Sequence, residues 1–406
     1  MKKNRYSSGK PESQFDRRSF LKASALAGGL ILGTPALWSR DQEKQEQQSR
    51  PAVPPKPKTN IDEFMKVPPE KHALPAPFPG KVVEVHDPTA SKEGQVNAAV
   101  VSAMFGKGME NLTGKPLAES FKLFFTPDDV VGIKVNPVGA GLISTRLELV
   151  DAVIDWLVKA GLLRKQIIIW DRFDYMLAEA GFTPERYPDV GIEGLQTMDP
   201  SEDPNKKDLD AIQNGLHVSR ELFDMNAFYW ADVEAPQDNI YLNQHVFNGK
   251  ESYFGKLVTR KLTKIINLPV FKNTGNGISM ATKNIGYGAV CNTSRLHRPL
   301  FFNVCTEVTA APWIRNKMVL NITDGLRAQY DGGPGPAAQF TWDYNRLFFA
   351  SDPIALDMVC HNLITEKRKA MGVKTNEHPR FTEYLHYAEQ LGLGIAEVNK
   401  INHIRV

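Results

Sequence analysis

Cysteine is scarce. The 406-residue chain holds three, Cys291, Cys305 and Cys360, with no Cys-x-x-Cys pair among them. Three cannot all pair as disulfides, and their spacing supplies neither an iron–sulfur motif nor a structural zinc site. Small buried apolar residues are the role expected for all three. A Gly-x-Ser-x-Gly elbow and a His-Glu-x-x-His pair are also missing, and Gly-x-Gly-x-x-Gly follows neither early strand. Those absences argue against a hydrolase elbow, a compact zinc signature and a standard dinucleotide site. There is no internal repeat. No run reaches the roughly 20 strongly apolar residues a spanning helix needs, so no permanent membrane span is expected. Charge of one sign is lacking too. Residues 1–36 hold seven Lys/Arg against Glu12 and Asp16, a balance of +5, which leaves −2 for the rest of a chain whose net charge is +3. A near-neutral body gives no electrostatic reason to expect nucleic acid as a partner.

What is present begins with a leader. Asp16-Arg17-Arg18-Ser19-Phe20-Leu21-Lys22 resembles the twin-arginine export motif, and a weakly apolar stretch from Ala23 to Trp38 follows it. Basic region, motif and apolar region fall in order. Residues 1–36 are therefore expected to be a twin-arginine signal region, with the translocase as a partner during export and the periplasm or cell exterior as destination. Residues 37–75 are Gln-rich and then Pro-rich, the composition of a disordered tether.

From residue 76 to 406 the pattern predicts one α/β domain, a layered, mostly parallel sheet flanked by helices. Strands are expected at Lys81–Val85, Val130–Val135, Ile167–Trp170, Lys264–Leu268, Met318–Ile322 and Leu347–Ala350. Helices are expected over 95–112, at Leu147–Ala160, around Ile278–Ile285, from Asp352-Pro353 to Met371, and near Arg380–Leu391. On the second of these, Leu147, Val150, Ile154, Leu157 and Val158 share a face. Residues 200–260 read as an irregular insertion.

In open α/β sheets ligands bind beyond the carboxyl ends of the strands. Four predicted strands run into polar ends, three of them with glycine: Asn136–Gly141, Asp171–Asp174, Lys272–Gly277, and Thr323-Asp324-Gly325 with Asp331–Pro336. Glycine lets backbone amides approach a ligand, and the neighbouring Lys and Asp supply charge. Lys134 lies mid-strand between Ile133 and Val135, so alternation turns it to the opposite face, where a buried amine suits proton transfer. Lys134, His297 and Asp324 are the catalytic candidates. Asn136, Lys272, Lys283, Asn284, Asp331 and Asp357 are the substrate-binding candidates. Asp357, inside an apolar helix, needs a donor that Lys283 or Arg327 could provide. Asp352 reads as a helix cap. His297 with Asp324 and Asp331 would offer a metal ligand set, although no compact metal signature is present.

Several of these segments carry a family resemblance. Ile133-Lys134-Val135-Asn136, Asn267-Leu268-Pro269 with Lys272, Thr282-Lys283-Asn284 with Gly286 and His297, Thr323-Asp324-Gly325, and Ser351 through Asp357 resemble the family known as domain of unknown function 362. The match spans about residues 80–365. Some relatives carry a ferredoxin-type iron–sulfur segment, which implies redox chemistry, and this chain departs from that pattern. The expectation is an exported enzyme acting on a small anionic ligand at the carboxyl edge of the sheet, with a metal or other cofactor as an open question. A periplasmic ligand-binding or redox-accessory protein without turnover is the alternative.

Overall fold

The computed structural model describes residues 56–196, 198–200, 210–213, 216–219, 221–233 and 249–406. The leader, the first part of the tether and much of the expected insertion lie outside the described residues. The principal elements are β1 (Lys81–His86), α1 (Ala98–Thr113), β2 (Val131–Lys134), α2 (Leu147–Lys159), β3 (Ile167–Phe173), β4 (Gly191–Gln196), β5 (Phe223–Trp230), β6 (Glu251–Gly255), β7 (Lys264–Asn267), β8 (Val270–Thr274) and β9 (Gly277–Ile278). They continue with α3 (Ala281–Gly286), α4 (Asn303–Ala310), β10 (Met318–Gln329), β11 (Thr341–Ala350), α5 (Pro353–Ala370), α6 (Glu383–Gln390) and β12 (Asn402–Arg405).

Ten strands form one mixed sheet in the order β12-β1-β11-β10-β7-β2-β3-β4, with β8 and β9 added beyond the end of β7. The run β10-β7-β2-β3-β4 is parallel throughout, while β11 lies antiparallel to both β1 and β10. Helices cover both faces, as an α/β sheet buried on both sides requires. One face packs Ile133, Val135, Ile169, Ile266, Leu320 and Ile322 under α1 and α2. The other packs Ile168, Trp170, Ile265 and Met318 under α3, α4, α5 and α6. No helix among the described residues is long and apolar enough to cross a membrane.

Local chemistry sets the helix ends. The Asn97 side chain accepts from Val100 N at the start of α1, and Gly114 closes that helix with φ 67°. At the start of α5 one Asp352 oxygen accepts from Ile354 N and Ala355 N, both at 2.9 Å. Its other oxygen accepts from Gly80 N and Ile395 N, so the cap also fastens two distant loops.

Three departures from expectation matter. The buried stripe of α2 is turned toward Leu149, Val153 and Trp156, which leaves Val158 38% exposed. The strand expected to stop at Ile322 runs on to Gln329, because β11 continues to pair with it through Thr323, Asp324 and Gly325. Thr323-Asp324-Gly325 is therefore strand and not a loop. Finally, part of the stretch whose composition suggests a tether is folded: helix Ile61–Lys66 buries Phe64 against Phe254 and Trp313.

Candidate functional site

One rung of the sheet is polar where its neighbours are apolar. Trp170, Lys134, Asn267, Asn321 and Ala350 stand in register across β3, β2, β7, β10 and β11. The rung one residue earlier on β3, β2 and β7 is Ile169, Ile133 and Ile266, which faces α1 and α2. Alternation turns the polar rung toward α3. There Asn267 Nδ2 donates to Asn321 Oδ1 at 2.9 Å and to Ala281 O at 3.0 Å. Asn284, on α3, donates to Asn267 Oδ1 at 2.8 Å.

Lys134 is 1% exposed and forms an ion pair with Asp171 at the end of β3. Its Nζ also donates to Val135 O at 2.7 Å and to Asn284 Oδ1 at 3.1 Å. Burial lowers its pKa and Asp171 opposes the shift. The amine fits because residue 288 is glycine: a Cβ there would lie 2.4 Å from Lys134 Cε.

Lys272, on β8, is fully buried. Its Nζ donates to Asn136 Oδ1 at 2.9 Å, Val138 O at 3.1 Å and Ile143 O at 3.5 Å, so it stitches down the loop after β2. Burial, with repulsion from Lys283 and Lys134, pushes its pKa down to about 7, while Asp171 works against the shift. Asn136 is equally committed: its Nδ2 donates to Asn284 Oδ1 at 3.1 Å, and its backbone N donates to Thr145 Oγ1 at 2.8 Å.

Lys283 differs. It stands beside Asn284 on α3, is half-buried, and among the described residues has neither a hydrogen bond nor an ion pair. Its Nζ lies 5.2 Å from the centre of the Tyr287 ring and 6.0 Å from that of Phe301. Burial and the Lys134 charge lower its pKa, with Cys305 opposing. His297 lies against Tyr287 with ring centroids 4.4 Å apart and the ring planes tilted by 35°. Burial first, then the Lys283 charge, push its pKa down to about 4, which keeps the ring neutral near neutral pH. Its Nδ1 lies 3.0 Å from Thr293 O. A carbonyl only accepts, so Nδ1 carries the proton and Nε2 the lone pair. Arg172 donates to Thr293 Oγ1, and burial lowers its pKa to about 10, high enough to stay charged.

The structure thus brings Lys134, Asn136, Lys272 and Asn284 into direct contact, with Lys283 and His297 adjoining. It places the remaining candidates elsewhere. Asp324 lies on the face of Ile322, opposite that of Asn321, and accepts from Arg146 N at 2.7 Å and Leu326 N at 3.0 Å. Burial raises its pKa to about 6, yet it serves the start of α2 and does not face the lysines. Asp331 pairs with Arg368 at 2.6 Å, and the same guanidinium binds Gly275 O and Asn276 Oδ1, so this contact pins two loops together. Asp357 finds neither Lys283 nor Arg327 as its donor. It accepts from Ala281 N at 2.8 Å, Thr282 N at 2.9 Å and Thr282 Oγ1, and so holds the start of α3. His297, Asp324 and Asp331 do not converge, and among the described residues no group of three or more His, Cys, Asp or Glu is placed to hold a metal.

Sequence reasoning included Asp171 and Arg172 in a polar strand end without giving either a role, and did not single out Tyr287 or Phe301. Asp171 follows an all-apolar strand, but pairing it with Lys134 requires knowing that β2 and β3 are neighbours in this register. Fold and site together define an α/β protein with a polar rung and an adjoining lysine group at the carboxyl edge of its sheet. The chain belongs to the family described as Domain of unknown function (DUF362), whose profile matches residues 131–362, from β2 into α5. That span includes every residue of the rung and of the lysine group. No curated protein matches the chain.

Proposed function

We propose that the chain is an exported enzyme that takes a small anionic substrate on Lys283 and uses His297 as its proton acceptor. One observation carries the reading. An ammonium has three N–H groups, and Lys134 and Lys272 have each directed three contacts to protein oxygens, whereas Lys283 has directed none. Lys134, Lys272, Lys283 and Arg172 gather four basic groups, of which Lys272 is about half protonated near pH 7, and Asp171 is the carboxylate whose field reaches Lys134, Lys272 and Arg172. Such an excess of positive charge in a desolvated place favours an anion. His297, with its Nε2 lone pair, is the group placed to accept a proton there; at a pKa of about 4 it is a weak base, and an anion that offsets the Lys283 charge raises its basicity. Export rests on the motif Asp16–Lys22.

A second reading has its own support. With Lys134 and Lys272 committed to internal contacts, the proton-transfer equipment reduces to His297, which suits a binding protein that performs no reaction. Titration calorimetry with acetate and inorganic phosphate tests the anion site. Lys283→Met is expected to weaken binding by about tenfold or more, the scale of one charge-assisted contact. His297→Gln should leave binding intact and remove turnover of whichever carboxylate or phosphate ester a substrate screen identifies. Unchanged binding in Lys283→Met sinks the proposal. Intact binding with no turnover of any such compound supports the second reading.

A further inference from the structure

We infer that the anion held by Lys283 carries a flat unsaturated ring, seated against the rings of Tyr287, His297 and Phe301. The inference rests on the reading of Lys283 as the anion contact and adds the shape of what is attached to the anion. The three rings form a triangle, with centroids 4.4 Å apart for Tyr287–His297, 6.0 Å for Tyr287–Phe301 and 5.8 Å for His297–Phe301. All three are half-buried, whereas the aromatic residues packed behind them, Phe302 and Tyr384, are 6% and 1% exposed. The triangle is therefore the more exposed end of an aromatic cluster that continues inward through an edge-to-face contact, Phe301–Phe302, and a stacked one, Phe302–Tyr384, at 4.4 and 5.0 Å.

Its polar atoms are largely spent. Tyr287 OH donates to Phe301 O at 2.8 Å and His297 Nδ1 faces Thr293 O, so the group presents ring surface and one imidazole lone pair. The Lys283 ammonium stands over two of the three rings. A ligand that places its anionic group on this ammonium lies within reach of the three rings. A flat ring gains offset or edge-to-face contact there that a saturated ring of equal bulk does not. Because His297 is neutral near neutral pH, stacking on it desolvates no charge.

The test compares three carboxylates, acetate, cyclohexanecarboxylate and benzoate, by calorimetry on the full chain near pH 7. Benzoate is expected to bind about tenfold more tightly than acetate and several-fold more tightly than cyclohexanecarboxylate. Phe301→Leu, which keeps apolar bulk at the position, should reduce the ratio of benzoate to acetate affinity to about threefold or less. Phe301→Ala repeats the test with the ring and its bulk both removed, and its acetate affinity reports whether the fold is retained. Benzoate binding no tighter than acetate or cyclohexanecarboxylate overturns the inference, with Lys283-dependent acetate binding leaving the anion site standing. A benzoate advantage that survives Phe301→Leu with acetate binding intact also overturns it. Failure of every carboxylate to bind removes the anion site and the ring subsite together.

Discussion

Lys272 carries its charge where its hydrogen-bond acceptors are all neutral oxygens: one Asn136 amide and two carbonyls of the loop after β2. Its pKa, held down to about 7 chiefly by burial, makes it the residue whose titration should be visible in stability. A folded-state pKa below the unfolded value means that the unfolded chain binds more protons between the two. Stability therefore rises with pH from about 7 toward 10.5, by at most about 1.4 kcal/mol per pH unit from this group. Lys272→Met removes the titrating group. Thermal melts of both proteins at a series of pH values should show the wild type gaining on the variant as pH rises above 7. A difference that stays flat between pH 7 and 9 would show that the ammonium is not destabilised by burial. At this scale the sequence was informative wherever strand alternation applies. The facing of Lys134 follows from Ile133 and Val135, and Lys272 and Lys283 stand out by their polar, glycine-containing surroundings. What alternation cannot supply is the partner, so Asp171, on the next strand in sequence and adjacent in space, was legible as a polar strand end but not as the counter-ion of Lys134.

Helix α3 is six residues long, too short to hold itself in water, and it delivers Asn284 inward and Lys283 outward from one turn. Two features fix it. Gly286 lets it approach α4 so closely that a Cβ there would lie 2.6 Å from Cys305 Cα. Asp357, from α5, accepts both of its leading amides and the Thr282 hydroxyl. Asp357→Asn turns one acceptor into an NH2 group facing donors. The cost is expected to be about 2–3 kcal/mol, the scale of losing a buried charged acceptor. Anion affinity should fall with it, since Lys283 moves with α3, although Asp357 itself touches no ligand position. A chemical-denaturation curve and an acetate titration on the same variant check both halves. Unchanged stability would mean that the amides of Ala281 and Thr282 find other acceptors. The sequence placed a helix near α3 and marked Asp357 as a buried carboxylate in need of donors, but assigned those donors to cationic side chains. Backbone amides at a helix start leave no mark in composition. Asp324 drew attention as a strand-end residue because the expected strand end, Ile322, lay seven residues before the observed one, Gln329: pairing between β10 and β11 outlasts the apolar run that signals it.

Across the whole molecule, the described chain begins with a strap that the Pro-rich composition around it conceals. Residues 56–75 run over the α4 side of the body. Lys56 pairs with the buried carboxylate of Glu307 at 2.6 Å, which also accepts from Tyr229 OH at 2.8 Å. Asn60 exchanges bonds with Phe228 O and Trp230 N, and Thr59 bridges Ala231. The principal clasp is Arg315, 3% exposed at the end of a short helix after α4. Its guanidinium donates to Phe64 O at 2.9 Å, Ala310 O at 3.0 Å and Val67 O, and its own carbonyl accepts from Leu74 N at 2.8 Å. Composition counted the prolines of this stretch and missed Phe64, whose ring is buried against Phe254 and Trp313 and whose carbonyl is held by Arg315. Arg315→Met keeps an apolar stem but leaves three carbonyls without their donor. The expected loss is about 3 kcal/mol. Cleavage of the 56–75 stretch by trypsin or thermolysin should become faster under native conditions, because the strap opens before the sheet does. The lysine group lies on contacts made by α3, β2 and β8, which the strap does not touch through any of these bonds, so acetate affinity should be retained. Protection of the strap equal to wild type would show that Lys56, Asn60 and Phe64 hold it without the guanidinium. Loss of acetate binding in parallel would show instead that strap and site form one cooperative unit.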